Sequence, residues 1–386
     1  MQLRDRISWD HAYDSFPVNR EYIWLNNCGT TPAGEHVCRD VQDFMEKYSR
    51  KGVYAAEYPY AGIRGSIQRS IAGLINCLPE EVALVHNTSE GMNLVSWGLG
   101  LVPGDEILLL EDEYPSNIYP WEHWREKGVA LTFVAMAASP EKFLENFRSK
   151  ISPRSRLAAL SSVHWCTGMP LPVREISGLC RERGVGIALD AAQGAGHVEI
   201  DFRSWGIDYL TISAWKWLLG PLGLALLVIS GKSLPGLTHV FKGTESVTDD
   251  ALYFPYRDTL KPTAERYSYS TGSILDWVYF KSSLEYLGRI GFSVSMKRIY
   301  ELADYLSAIL RDAGFRLHSD AFPETRTGII VAEKAGEDME RLEKELMARG
   351  VIARRRRAGI RFAPHIYNSF EQLDRAGIIV REIISC

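Results

Sequence analysis

The chain has 386 residues, of which 46% are hydrophobic and 24% charged, with 32 Gly and 17 Pro. At ~150 residues per domain this is two or three domains' worth, enough to bury a sizeable core without staples, and the ordinary composition excludes disordered and collagen-like classes. Lys and Arg number 44 against 48 Asp and Glu, a formal charge of −4, which offers no broad basic footprint for nucleic acid or an anionic membrane and leaves a small molecule as the default partner.

The opening stretch MQLRDRISWDHAYDSF is charged and aromatic without an apolar signal core, and no window approaches the ~18 consecutive apolar residues of a membrane span. Cys28, Cys38, Cys77, Cys166, Cys180 and Cys386 are scattered with no CxxC pair, the pattern of free thiols in a reducing compartment rather than of a disulfide framework or zinc ribbon. A soluble cytoplasmic protein without a metal site is expected.

In chain order, short apolar runs predict strands at Val82–Val85, Glu106–Leu110, Val129–Val134, Leu157–Val163, Val185–Leu189, Asp208–Ile212 and Gly223–Ile229. Helical stretches lie between them, including Met92–Leu99, Pro140–Lys150 and Val173–Arg183, the last closed by Gly184. Such alternation predicts a mostly parallel α/β sheet with ligands at the carboxyl ends of its strands. Asp249–Tyr269 reads as loop. Beyond about Pro262 come a long amphipathic helix over Ser293–Ala313 ended by Gly314, the strand-like GFRLHS and TGIIVAE, a helix over Glu337–Arg349, and the strands VIARR and GIRFA. These predict a smaller α+β domain made of residues 1–17 and 263–386 beside a large domain over 18–262.

Three motifs in the large domain carry chemistry. His86-Asn87-Thr88-Ser89-Glu90-Gly91 links a strand to a helix N-terminus, where free N–H groups and hydroxyls suit a phosphate; a plain Ser/Thr helix cap is the alternative. In ALDAAQG, Asp190 ends a buried strand, so its carboxylate can face a protonated ring nitrogen, with Gln193 a turn away; an N-cap Asp is the alternative. In SAWKW, Lys216 stands between two tryptophans, where desolvation lowers its pKa and makes it a usable amine nucleophile; a snorkelling lysine is the alternative. A phosphate cradle, an acid for a pyridine nitrogen and an amine for an aldehyde together match the needs of pyridoxal 5′-phosphate (PLP).

The segments NTSEGMNLV, LEDEYPSNIYPW, ALDAAQGAGHVEID, SAWKWLLGPLG and IRFAPHIYNSFEQLD, with YIWLNNCGTTP near the start, resemble the class V aminotransferase family of fold-type I PLP enzymes from about Tyr22 to about Arg375. That family includes cysteine desulfurases, isopenicillin N epimerase-like proteins and C–S lyases. The resemblance implies a mostly parallel seven-stranded large domain, Lys216 as the Schiff-base lysine, Asp190 on the pyridine nitrogen and Gln193 on the 3′-oxygen. It places Thr88, Ser89 and Ser213 on the phosphate, and Thr271, in Ser270-Thr271-Gly272, on the phosphate of a second subunit, which implies a homodimer with shared sites. Arg361 falls where the family holds the substrate α-carboxylate, and Asn27 and Cys28 fall in a turn beside the substrate, although an inert buried Cys28 is also open.

Departures from the pattern matter as much. Trp215 precedes the lysine where the family usually has His, and Tyr114-Pro115-Ser116-Asn117 stands where desulfurases carry His-His-Ala-Asn. Tyr114 or Trp165 is the expected ring-stacking aromatic; His164 lies over the ring or in the core, and Trp121 and Trp124 read as packing. Arg354–Gly359, RRRRAG, has no cysteine where a desulfurase carries its nucleophile. Its arginines either attract an anionic substrate arm or form a solvated edge. β-Elimination from a cysteine-type or S-conjugated L-amino acid is the favoured reaction. Epimerisation, transamination and a catalytically inactive PLP-binding dimeric regulatory module are the alternatives.

Overall fold

The computed structural model describes residues 7–52, 60–137, 139–321, 326–357 and 359–385. Cys386, residues 1–6 of the expected small-domain segment and residue 358 of the arginine loop lie outside them. Among the described residues thirteen strands occur in chain order: β1 (Ile23–Trp24), β2 (Val82–Val85), β3 (Glu106–Leu110), β4 (Ala130–Val134), β5 (Ser155–Ser161), β6 (Gly186–Asp190), β7 (Tyr209–Ser213), β8 (Ala225–Ile229), β9 (Arg316–Leu317), β10 (Ile330–Glu333), β11 (Val351–Ile352), β12 (Arg354–Arg356) and β13 (Gly359–Phe362).

The seven-stranded sheet runs β2-β8-β7-β6-β5-β3-β4, with β8 antiparallel to both neighbours and the other pairings parallel. EILLL, YLTIS and ALLVI are buried along their whole length, because helices cover both faces of a parallel sheet and every residue of a central strand faces a core. The pleat divides them. Leu108 and Leu110 enter the core beneath helices Pro140–Lys150 and Val173–Arg183, while Ile107 and Leu109 enter the core that holds Met92, Leu94, Trp121 and Trp124. The tryptophan pair is therefore packing, with Trp124 Nε1 donating to Ser96 Oγ at 2.9 Å.

A second sheet, β12-β13-β10-β9, is antiparallel, and β1 pairs in parallel with β11. Helices Phe292–Asp312, Met339–Ala348 and Phe370–Ile384 bury Leu302, Leu306, Leu342, Leu346, Leu373 and Val380 in one cluster with Ile23 and Leu25. Trp277, Val278, Phe280 and Leu284 of helix Ile274–Ile290 pack instead into the core that holds Leu108 and Leu110 of the seven-stranded sheet. Most of that helix is buried, leaving a narrow exposed face with the Lys281–Glu285 ion pair and Arg289.

Two boundaries differ from the sequence expectation for local reasons. The helix expected at Met92 begins at Thr88, because Asn87 rather than Ser or Thr is the cap, its side chain accepting from Glu90 N at 2.8 Å. VIARR is two strands in two sheets, broken at Ala353.

Candidate active site

The carboxyl ends of β5, β6 and β7, the N-terminus of helix Thr88–Gly98 and strand β13 converge on a cavity of about 270 Å³. Its lining includes Cys28, Thr88, Ser89, Tyr114, Trp165, Gln193, Trp215, Lys216, Arg356 and Arg361.

Lys216 follows β7 in a turn fixed from outside the sheet. Thr31 Oγ1 lies 2.8 Å from Trp215 O and 2.7 Å from Lys216 O, and Thr31 N donates to Trp215 O at 3.1 Å. Leu219 adopts φ +57° to close the turn, and Gly220 N donates to Ala214 O; a Cβ on Gly220 would come within 2.7 Å of that carbonyl. Burial brings the Lys216 amine down to about 8, with Asp190 opposing and Arg361 reinforcing the shift. At pH 7.5 about a quarter of such amines are neutral, against about one in a thousand for an ordinary lysine.

Asp190 closes β6, buried, with Oδ1 accepting from Ala192 N at 2.8 Å. No helix follows it, so it is not an N-cap: the chain continues through tight turns to His197. Burial raises its carboxyl and the charge of Lys216 pulls it back, so the two groups titrate against each other. Gln193 is held by donation from Nε2 to Cys28 O at 2.8 Å and by Trp217 Nε1 donating to its Oε1 at 3.2 Å. Nε2 keeps a second hydrogen for a ligand.

Ser213 Oγ is buried with no hydrogen-bond partner among the described residues. It closes β7, three residues before Lys216. Ser213 is not itself among the cavity's lining residues, but an orphaned hydroxyl at the carboxyl end of a strand is available to a phosphate. Arg361 is 2% exposed on β13, with Nη1 donating to Trp165 O at 2.7 Å; its Nε has no partner, and it pairs with no carboxylate among the described residues. A buried, uncompensated guanidinium at a cavity wall is a costly feature unless a ligand anion completes it.

The remaining expected residues divide. The Lys216 Nζ lies 5.7 Å from the centroid of the Tyr114 ring, which meets Trp165 edge-on at 5.3 Å. Trp165 is pinned by Nε1 donating to Asp112 O at 2.8 Å. Its turn returns at Gly168 (φ +76°), where a Cβ would come within 2.8 Å of Ile329 O. His164 is a satisfied core histidine, its nitrogens 3.0 Å from Thr167 Oγ1 and 3.2 Å from Asp112 O. Trp215 lines the cavity where His was expected. Cys28 also lines it, but Asn27 does not: its Nδ2 donates to Ala363 O at 2.6 Å and its Oδ1 accepts from Tyr367 OH, so its amide ties the turn after β1 to the segment after β13. Thr271 is exposed and lines a separate cavity with His86, Glu90 and Tyr269.

Two contributors, Thr31 and Glu113, escaped the sequence reading, and the arginine run it left open divides. Thr31 acts through backbone carbonyls, which no motif reports. Glu113 is fully buried, accepting from Ser161 N, Ser161 Oγ and Tyr114 N, and desolvation pushes its carboxyl up to about 7; it anchors the turn that carries Tyr114. Arg356 enters the cavity while its neighbours form ion pairs outside: Arg354 with Glu343 (3.5 Å), Arg355 with Glu340 (3.7 Å), Arg357 with Asp112.

A doubly wound sheet with a buried acid and a depressed lysine at adjacent strand ends defines a site built for an aldehyde cofactor carrying a phosphate. Residues 23–378 match the aminotransferase class-V family, and the chain belongs to it. The "Probable cysteine desulfurase" of Methanothermobacter thermautotrophicus is 26% identical over 81% of this chain and 78% of its own length. Some curated relatives are longer, the chain spanning 61% of one and 56% of another. Among solved structures, the apo cysteine desulfurase from Thermococcus onnurineus has a TM-score of 0.86 at 22% identity, covering 99% of both chains. The complex of the cystine C–S lyase C-DES with cysteine persulfide also has 0.86, at 21% identity and over 95% of this chain and 99% of that one. The fold is that of fold-type I PLP enzymes, and the chain is a PLP-dependent enzyme. Ser213, Asp190, Gln193 and Lys216 fit that cofactor.

Proposed function

We propose that this enzyme is a C–S lyase, cleaving the Cβ–S bond of a cysteine-type or S-conjugated L-amino acid. The carrying observation is the buried, acid-free guanidinium of Arg361 in the same cavity as Lys216, a receptor for the α-carboxylate. Ser213, Thr88 and Ser89 would hold the phosphate, Asp190 the ring nitrogen, Gln193 the 3′-oxygen and Tyr114 the ring face. When bound, PLP supplies the electron sink for the pair released at Cα. Arg361 orients Cα; Lys216, with its pKa lowered to about 8, takes the Cα proton in its neutral form; the Cβ–S pair leaves with the thiol, and hydrolysis of the remaining enamine gives pyruvate and ammonia. The related names, cysteine desulfurase and cystine C–S lyase, share C–S cleavage and support this reading.

A homodimer belongs to the same proposal: exposed Thr271 serves the phosphate of the partner's site, in a soluble cytoplasmic enzyme. Among the described residues no helix is long and apolar enough to cross a membrane. One observation favours a desulfurase reading, the Cys28 side chain at the cavity wall. Product analysis separates the two. Pyruvate and ammonia in equal amounts from an S-substituted cysteine mean elimination, whereas alanine from L-cysteine, lost in Cys28→Ala, means sulfur transfer to that thiol.

A further inference from the structure

Among the described residues the cavity is lined by three cationic side chains, Lys216, Arg356 and Arg361, and by no carboxylate. Under the proposed function two anions are already placed: the cofactor phosphate at the helix N-terminus and Ser213, and the substrate α-carboxylate on Arg361. Arg356 is left over. Its Nη1 is bonded to the carbonyl of Arg355 at 2.8 Å, its Nε is buried without a partner, and the guanidinium lies 5.9 Å from the Trp165 ring centroid. Trp165 is the same residue whose carbonyl holds Arg361, so the two guanidinium groups flank one side chain. Burial lowers the pKa of Arg356, and Arg361 adds to the shift.

The other arginines of the run show what this chain does with guanidinium groups it does not need inside: Arg354, Arg355 and Arg357 each face an acid. The hairpin is also held in place, because Arg357 is paired to Asp112, whose carbonyl binds Trp165. The Arg356 guanidinium is half-buried, with its Nε buried and unpartnered and no acid partner among the described residues; facing a cavity, it is the group a ligand anion would complete.

We infer that Arg356 is a specificity residue for a second anionic group, and that the substrate is an L-amino acid whose side chain ends in a negative charge, such as an S-(carboxyalkyl)cysteine. This rests on the proposed function for the α-carboxylate end only. A guanidinium fork recognises a carboxylate in two parallel bonds and rejects its uncharged amide, which cannot neutralise it.

The test uses the PLP-loaded holoenzyme and two near-isosteric pairs. S-Carboxymethyl-L-cysteine and S-carbamoylmethyl-L-cysteine report kcat/KM through pyruvate. L-Glutamate and L-glutamine, which have no leaving group at Cβ, report dissociation constants through the absorbance of the bound cofactor. The acid of each pair should be favoured by about tenfold to a hundredfold, the size of a charge-assisted bond in a desolvated site. Arg356→Gln should bring both ratios close to one, Arg356→Lys should retain part of the preference, and the surface control Arg354→Gln should retain all of it. Ratios near one in the wild-type enzyme, or an undiminished preference in Arg356→Gln, would overturn the inference. An acid preference in binding without pyruvate release would uphold it and refute elimination, whereas pyruvate release without acid preference would refute it alone.

Discussion

Replacing Arg361 by Met separates a ligand-binding arginine from a structural one. The side chain is 2% exposed, donates one bond of 2.7 Å to Trp165 O, and has a buried Nε with no partner. In the ligand-free protein the substitution forfeits that one bond, worth about 1 kcal/mol net, and relieves the burial of an uncompensated charge of at least similar size. Stability to urea should therefore hold within about 1 kcal/mol. Catalysis should not, because removing one partner of a desolvated charge pair costs about 2–5 kcal/mol, a loss of about 30-fold to several thousand-fold in kcat/KM. The assays are urea unfolding followed by circular dichroism, and pyruvate release at sub-saturating S-substituted cysteine, with cofactor absorbance confirming that PLP remains bound. Unchanged kcat/KM would refute the assignment. So would a stability loss of about 3–5 kcal/mol, the cost of breaking a buried ion pair, since it would mean that Arg361 has an internal acid partner.

The amine of Lys216, with a pKa lowered to about 8, leads to a pH dependence. The rate at which apoenzyme captures PLP should climb tenfold per pH unit and level off near pH 8; an ordinary lysine would carry the climb past pH 10. The folded chain sheds this proton at about 8 and the unfolded chain near 10.5, so Lys216 makes apoenzyme stability rise with pH across that window and adds no slope below it. A levelling point that does not move upward in Arg361→Met, where a charge that lowers this pKa is gone, would contradict the coupling. Asp190→Asn should keep the fold and bind PLP yet lose at least about a hundredfold in kcat, because a neutral amide cannot hold the ring nitrogen protonated; near wild-type turnover would assign that task elsewhere. Mixing inactive Lys216→Ala with weakened Thr271→Ala subunits should restore part of the activity in mixed dimers, where one of the two sites has both residues intact. A mixture no better than Thr271→Ala alone would refute sites shared across the dimer.

The central sheet is legible in the sequence because β3, β7 and β8 are buried on both faces, so each strand stands as an unbroken apolar run between polar turns. Asp190 and Lys216 are legible for a related reason: an ionisable residue at the end of such a run has to lie at the sheet's mouth. The arginine run was open between two readings because strand alternation assigns faces but not partners. What sets Arg356 apart from its neighbours is the placement of Glu340, Glu343 and Asp112, residues close to the run only after folding. Asn27 misled for the same reason. Its neighbour Cys28 faces the cavity, but the adjacent amide is taken up by Ala363 and Tyr367, more than 300 positions along the chain. Helix Ile274–Ile290 shows only a weak amphipathic period, since most of its circumference is buried and its exposed face is narrow, marked by Lys281, Glu285 and Arg289.

The most direct measurement of the central claim, that one lysine in this cavity holds the cofactor and serves as the base, is peptide mapping after borohydride reduction of the holoenzyme. The account predicts a single reduced pyridoxyl adduct on the peptide containing Lys216, with the visible absorbance and pyruvate release lost in proportion. An adduct on any other lysine, or loss of activity with Lys216 unmodified, would contradict it.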